Sequence, residues 1–330
     1  MTPTTRLLTR PDVEALLDMR ACVDAVDDAF RRRGEGRAGE SGVLGLHVPG
    51  GGFHVKAAAL ELSRPYVAAK VNANFPGNAA LRGLPTIQGA VVLFDATGGT
   101  ILAIMDSISI TTLRTAATTA VAAKYLARAG ASSVAFIGCG AQARAHVAAL
   151  VTVRPIARAV AFDADPAAAA RFAAEMRAQH GIVVSVADDL AGATAGSEIV
   201  VTCTPSRQPF LGLRHVVPGS FIAAVGADNG DKQELEPALM AAAAVVVDDL
   251  DQCSTIGDLH HALAAGAMRR GDVRAELADV VLNPARGRRG DEEIVVFDST
   301  GVALEDVAVA ALAFERAVER GVGVDISLGG

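Results

Sequence analysis

The stretch SVAFIGCGAQARAHVAAL, Ser133 to Leu150, decides the fold. Its opening run, Ser133–Ile137, is small or apolar without polar alternation, the pattern of a strand buried on both faces. Gly138 and Gly140 follow at once, and from Ala141 the spacing turns helical. A strand that passes through a tight glycine turn into a helix makes a seat for phosphate. The glycines let the backbone approach the ligand closely, and the first amides of the helix, near Ala141 and Gln142, point at it. Ala143 takes the third small position, where helix meets strand. Asp163 lies twenty residues beyond Ala143, at the end of the next apolar run. A carboxylate there accepts hydrogen bonds from ribose hydroxyls and repels a 2′-phosphate, so NAD(H) is expected over NADP(H). A glycine turn in some other α/β protein, or a domain for a flavin or S-adenosylmethionine, is the competing reading.

The pattern downstream agrees with a nucleotide fold. Short apolar strands are expected at Ala159–Asp163, Ile182–Ala187, Glu198–Cys203, Phe221–Ala227, Ala244–Asp248 and Ile294–Asp298, with helices between several of them, Gln142–Val151 and Pro166–His180 most clearly. Strands of this kind alternating with helices predict a parallel sheet covered on both faces. Upstream the texture differs. A helical pattern over Pro11–Arg33 precedes five strand-like runs, Gly42–Val48, Gly52–Leu60, Tyr66–Ala73, Gln88–Asp95 and Thr100–Asp106. Turn residues separate these runs, which predicts an antiparallel sheet packed on one helix. A long Ala-rich helix, Ile108–Arg128, leads onward, and a last helix, Leu304–Arg320, is expected to return to the first domain. The expected class is α/β: a Rossmann dinucleotide-binding domain over 121–305, with a discontinuous α+β substrate and dimerisation domain over 1–120 and 306–330.

Composition excludes several function classes. A net charge of −7, no Trp and two Tyr speak against a nucleic-acid partner, which needs a basic surface or stacking rings. No apolar run reaches the ~20 residues of a membrane span, and the N-terminal residues lack an apolar signal core, so a cytoplasmic location is the default expectation. Cys22, Cys139, Cys203 and Cys253 form no C-x-x-C pair, so neither a disulfide framework nor a thiolate zinc site is expected. The pair His260-His261 has no accompanying ligand at metal spacing, and no metal site is assigned. Of 30 basic residues only Lys56, Lys70, Lys124 and Lys232 are lysines. Where nearly every cation is Arg, a retained Lys hints that a compact ammonium with an adjustable pKa is needed.

Hydride chemistry also requires cations for a substrate carboxylate and a group that moves a proton. Lys56, Lys70, Arg82 and Arg114 stand at strand or helix ends in the first domain. The blocks KVNANFPGN, GLPTIQG, LRTAATTAVAAKYLA, FIGCGAQ, AVGADNGDKQEL and FDSTG occur in this order along the chain. Over about residues 55–315 the sequence thereby resembles the ornithine cyclodeaminase/mu-crystallin family of amino-acid and imine oxidoreductases. The resemblance implies that Lys70 is catalytic or carboxylate-binding, that Arg114 grips the carboxylate, and that Asp228 relays a proton. It implies that Thr86, Gly138, Gly140, Ala141, Gln142, Asp163, Thr204, Val225, Lys232 and Ser299 line the cofactor, with Thr300 at the substrate. A homodimer joined through the first domain's sheet is implied as well. Read as bare residues, Lys70 is also compatible with a solvated strand end, Asp228 with turn chemistry and Arg114 with a helix cap.

One departure bears on the substrate. Many family members carry a second carboxylate-binding arginine before an M-P segment, where this chain reads SGVLGLHVPGGGFHVKAAAL, with Lys56 about where the methionine would be. Either Lys56 supplies the missing charge, or the substrate needs fewer cations. GADNGDKQEL is more similar to the alanine dehydrogenase and ketimine reductase members than to the cyclodeaminase form, G-G-D-C-P-G-K-T-E-L. The expected reaction is NAD(H)-dependent oxidoreduction at the C–N bond of an L-amino acid or its ketimine. A cyclodeaminase using bound NAD and a non-enzymatic nucleotide-binding protein are the alternatives.

Overall fold

The computed structural model describes residues 4–328, which divide into two compact units, 4–115 with 302–328, and 116–301. Among the described residues no helix is long and apolar enough to cross a membrane.

The first unit begins with β1 (Thr5–Leu8), α1 (Arg10–Leu16) and α2 (Met19–Gly34). The single helix expected over Pro11–Arg33 is therefore two. The chain breaks at Leu17, and the Asp18 carboxylate caps the new helix by accepting from Ala21 N. β2 (Ala38–Val48) and β3 (Gly51–Glu61) form a hairpin whose turn is made possible by Gly50 at φ +83°. β4 (Pro65–Asn74), a short α3 (Asn78–Arg82), β5 (Ile87–Asp95) and β6 (Ile101–Asp106) follow. The helix α4 (Ser107–Leu126) contains the division between the units. On β3 the buried row is Lys56, Ala58 and Leu60; on β4 it is Tyr66, Ala68 and Lys70. Alternation thus drives one face of each strand inward, and each row ends in a lysine.

The second unit holds eight parallel strands. In chain order they are β7 (Ser133–Ile137), β8 (Arg158–Phe162), β9 (Val183–Val186), β10 (Ile199–Thr202), β11 (Phe221–Ala224), β12 (Ala244–Val247), β13 (Ala275–Glu276) and β14 (Val295–Asp298). They lie side by side as β13-β12-β14-β11-β10-β7-β8-β9. β7, β10, β11, β12 and β14 are buried at every residue, whereas β8 and β9 at one side alternate, as central and edge strands should. The two-residue β13 escaped the sequence reading because nothing in so short a run carries a period. Helices α5 (Ala141–Val153), α6 (Pro166–His180), α7 (Leu190–Thr194), α8 (Pro237–Ala242), α9 (Leu250–Cys253), α10 (Gly257–Ala264) and α11 (Leu277–Leu282) connect the strands. The chain lays β8 and β9 on one side of β7, then returns to place β10 on the other. That reversal leaves a crevice at the carboxyl ends of β7 and β10, where open sheets of this class bind ligands.

The chain ends in α12 (Ala303–Arg320) and β15 (Val324–Ile326), which complete the first unit. β15 pairs antiparallel with β1, and β1 runs parallel to β6, giving the order β15-β1-β6-β5-β4-β3-β2. The sheet is mixed where a purely antiparallel one on a single helix was expected. The correction comes from the two short terminal strands, and from α12, which packs on α2, β3 and β4.

Candidate active site

At the crevice of the second unit, Gly138 ends β7 at φ +91°, and a Cβ there would come within 2.9 Å of the Cys203 carbonyl on the loop after β10. This glycine is required by the protein's own backbone. Gly140 is different. It is the N-cap of α5, has an ordinary φ of −81°, and a Cβ on it would meet nothing within 4 Å. The N-caps of α6, α7 and α9 are Asp165, Asp189 and Asp249, whose carboxylates accept from the first amides of their helices. α5 has no side-chain cap, so its first amides are left for an external acceptor. A cavity of about 630 Å³ opens here, lined by Gly138, Gly140, Asp163, Cys203, Thr204 and Phe210 among others. One Asp163 oxygen accepts from Cys139 N at 2.8 Å and the other from Asp165 N at 2.9 Å, holding the carboxylate at the cavity wall. Arg144 Nη1 donates to Cys139 O and Gly140 O, bracing the turn from inside the helix. The donor-rich turn, the open side of Gly140 and the carboxylate at the end of β8 together fit a dinucleotide.

Thr204, Val225, Lys232 and Ser299 lie on loops that follow β10, β11 and β14. Buried carboxylates hold these loops. Glu234 accepts from Thr202 Oγ1 at 2.6 Å, Thr204 N and Oγ1 at 2.7 Å, and Gly226 N at 2.8 Å. Asp258 accepts from Glu234 N and Leu235 N, and Asp298 from Asp258 N and Leu259 N. Asp248 accepts from Thr300 N and Gly301 N at 2.7 Å. Burial and the charge of Glu234 push Asp258 up to about 7, and burial with Asp258 nearby lifts Asp298 well above the usual carboxylate range. None of these four acids was singled out in the sequence. Thr300, expected at the substrate, is 2% exposed, and its hydroxyl is engaged by Asp248 and Gln252.

Asp228 follows β11. Its side chain is 55% exposed and receives Lys232 Nζ at 2.7 Å. Lys232 also presents its carbonyl to His261 Nε2 at 2.9 Å, which gives that histidine a place in the loop's packing.

Of the four cations named in the first unit, Lys56, Lys70 and Arg114 converge, whereas Arg82 is exposed and donates to Asn78 Oδ1 at 3.1 Å. Lys56 and Lys70 face each other across β3 and β4, and both are buried with Arg114. Two ammonium groups directly opposite in a sheet repel by about 3 kcal/mol at 5 Å and an effective dielectric near 20, so something must offset them. The compensation comes from α12. Lys70 Nζ lies 2.8 and 2.7 Å from the two Asp306 oxygens, Arg114 Nη1 donates to Glu305 Oε2 at 2.7 Å, and Arg114 Nε is 3.3 Å from Asp306 Oδ1. Burial, reinforced by Arg114 and Lys56 and opposed by Asp306, brings Lys70 down to about 8. Burial alone would raise Asp306, but Lys70 and Arg114 hold its carboxyl below the ordinary range. The sequence reading missed Glu305 and Asp306. The available signal was their isolation, as the only two polar residues in the run VALEDVAVAALA. Thr86 also belongs to this unit, where its carbonyl accepts from Phe75 N at 2.8 Å.

The sequence profile of the ornithine cyclodeaminase/mu-crystallin family matches residues 4–321. The chain belongs to this family. A solved archaeal alanine dehydrogenase, a dimer with bound NAD, superposes with a TM-score of 0.94 at 37% identity, over 99% of this chain and 100% of that one. The Δ1-pyrroline-2-carboxylate reductase of Thermococcus litoralis, solved with NADH and L-proline, gives 0.91 at 32% identity, over 98% and 100%. The iminosuccinate reductase of Paracoccus denitrificans is 33% identical over 331 residues, 98% of this chain and 99% of the relative. The family resemblance drawn from six short blocks thus extends across nearly the whole chain, and the Rossmann class read from the glycine turn is the fold of these relatives.

Proposed function

We propose that this family member is an NAD(H)-dependent oxidoreductase acting on the C–N bond of an L-amino acid or its ketimine, cyclic or formed from a 2-oxo acid and an amine. The observation that carries the reading is the buried trio Lys56, Lys70 and Arg114, built at the cost of opposing like charges, on a chain whose other unit holds an open-sided dinucleotide turn. Bound NAD(H) supplies or accepts the hydride. The amides at the start of α5 hold its diphosphate, and Asp163 holds the adenosine ribose and disfavours a 2′-phosphate. Lys70 and Arg114 fix the substrate carboxylate, which orients the reacting carbon. Asp228 takes or returns the proton at the substrate nitrogen or at water, with Lys232 setting its position.

The test is a screen of NADH oxidation with cyclic imines and 2-oxo acid/amine pairs, run beside NAD reduction with L-amino acids. Turnover of at least one is expected, with Asp228→Asn abolishing it while NADH still binds. Binding without any turnover would leave a nucleotide-binding protein and refute the reading. Ammonia release without net NADH would place the chain with the cyclodeaminases.

The same proposal includes a homodimer. β2 exposes Val43, Leu44, Leu46 and Val48 on an edge strand, a surface that invites pairing. A second copy pairing there would make a dimer, the state in which the archaeal alanine dehydrogenase was solved, and Leu44→Glu with Leu46→Glu should yield monomers in sedimentation. We also place the protein in the cytoplasm, where its four free cysteines would stay reduced.

A further inference from the structure

The second unit carries a cation where helix chemistry disfavours one. The positive end of a helix dipole attracts acids and repels bases. The chain obeys this at α6, α7 and α9, whose N-caps are Asp165, Asp189 and Asp249. α5 has no acid in its first turn, and Arg144, the fourth residue of the helix, folds its side chain back over the N-terminus. Four contacts hold the guanidinium there. Nε donates to Glu175 Oε2 at 2.6 Å, and Cζ lies over the Phe172 ring, 5.8 Å from its centre. Nη1 donates to Cys139 O at 2.7 Å and to Gly140 O at 3.0 Å.

Those two carbonyls belong to the peptides whose N–H groups are on Gly140 and Ala141. A planar trans peptide sends its N–H opposite to its C=O. Holding both oxygens on the helix side therefore turns both amides away from the guanidinium. Gly140 has no side chain to fix this geometry, and a glycine peptide left to itself samples many orientations. Cys139 and Gly140 line the 630 Å³ cavity, so the orientation is fixed where a ligand enters.

We propose that Arg144, held by Glu175, is a positioning residue that aims the amides of Gly140 and Ala141 at the cofactor's diphosphate before it arrives. The proposal rests on the reading of this turn as the diphosphate seat. Without the brace a phosphate must first order the glycine peptides, and that ordering subtracts from affinity. Lysine lacks the planar fork and cannot hold Glu175 and both carbonyls at once. Attraction by the charge of Arg144 alone is the competing account, and Glu175 separates the two. Its removal deletes a negative charge near the turn, which would tighten an anion by charge but loosen it by lost positioning.

The experiment measures ADP and adenosine binding to the full-length protein by calorimetry, two ligands that differ only in the diphosphate. The wild type should bind ADP at least tenfold more tightly than adenosine. Arg144→Met should weaken ADP about tenfold and leave adenosine within twofold, and Arg144→Lys should follow it despite keeping the charge. Glu175→Ala should weaken ADP about threefold. The Glu175 side chain is 43% exposed, so this variant keeps the test intact if Arg144→Met does not fold. An unchanged ADP-to-adenosine ratio in Arg144→Met, wild-type ADP affinity in Arg144→Lys, or unchanged or tighter ADP binding in Glu175→Ala would overturn the proposal. A wild type that binds ADP no better than adenosine would overturn it together with the diphosphate seat. If the ratios hold but no amino acid or imine is turned over, the positioning role stands and the proposed reaction fails.

Discussion

The two units handle buried charge in opposite ways. In the second, Glu234, Asp248, Asp258 and Asp298 point at backbone amides, and each carboxylate ties one loop to the next. In the first, Lys70, Arg114, Glu305 and Asp306 point at one another, and Lys56 stands opposite Lys70 across β3 and β4. A carboxylate spent on amides is architecture, because its partners cannot leave. Side chains paired with side chains can exchange partners, because a rotamer change releases them where an amide cannot move. Burial alone does not separate the two cases; the identity of the partners does.

The largest effect expected from breaking this contrast falls on the amide-bound acids. Glu234→Leu strands four donors, Thr202 Oγ1, Thr204 N and Oγ1, and Gly226 N, and should cost about 5 kcal/mol at 1–3 kcal/mol for each orphaned group. Urea unfolding reads this directly, and a loss under 1 kcal/mol would mean that the clamp is not needed. Lys70→Met takes the paired ammonium from buried Asp306 and should cost about 3 kcal/mol of stability, while lowering kcat/KM of the folded variant about a thousandfold, or ~4 kcal/mol of transition-state stabilisation. A loss of stability with kcat/KM of the folded variant unchanged would move Lys70 to the architectural side.

Proton linkage gives the contrast opposite signs. Asp258 has a folded pKa of about 7 against 3.8, so the folded state prefers its protonated form, and its contribution declines as pH rises from about 4 through 7. Asp258→Asn should flatten that decline by on the order of 4 kcal/mol, read from Tm against pH for both proteins. Lys70 has a folded pKa of about 8 against 10.5, so folding penalises its ammonium below pH 8 and the penalty lifts between 8 and 10.5. Activity runs the other way: kcat/KM should fall as pH rises through about 8 and the carboxylate loses its cation. An alkaline limb displaced to pH 10 would contradict the buried setting of Lys70. The smallest effect belongs to Asp163, which receives two amides yet borders the cavity. Asp163→Ser should weaken NAD binding about tenfold and narrow the preference over NADP; unchanged affinity would assign Asp163 to architecture.

The sequence exposed most of the second unit because burial on both faces leaves an uninterrupted apolar run, as at Ile199–Thr202, and a glycine turn marks where the ligand sits. It exposed Lys56, Lys70 and Arg114 because lysines are rare in this chain and flank recognisable blocks. It concealed what depends on partners distant along the chain. Asp306 lies 236 residues from Lys70, and its two-acid step in an apolar helix reads locally as first-turn chemistry. β1 and β15 stayed hidden for the same reason: strands of four and three residues acquire meaning only by pairing with each other and with β6. Asp228 was placed correctly after its strand, while the solvent around it depends on surfaces no linear pattern encodes.

The two glycines of the turn answer to different masters. Gly138 cannot gain a methyl group without displacing the Cys203 carbonyl, whereas Gly140 has open space where its methyl would stand. If the turn seats the diphosphate as proposed, a Gly140→Ala lineage would keep its shape and its melting behaviour while losing the nucleotide. On the proposed reading of this turn, function is thereby separable from persistence by a single carbon atom, and an inactive descendant would pass any assay of foldedness.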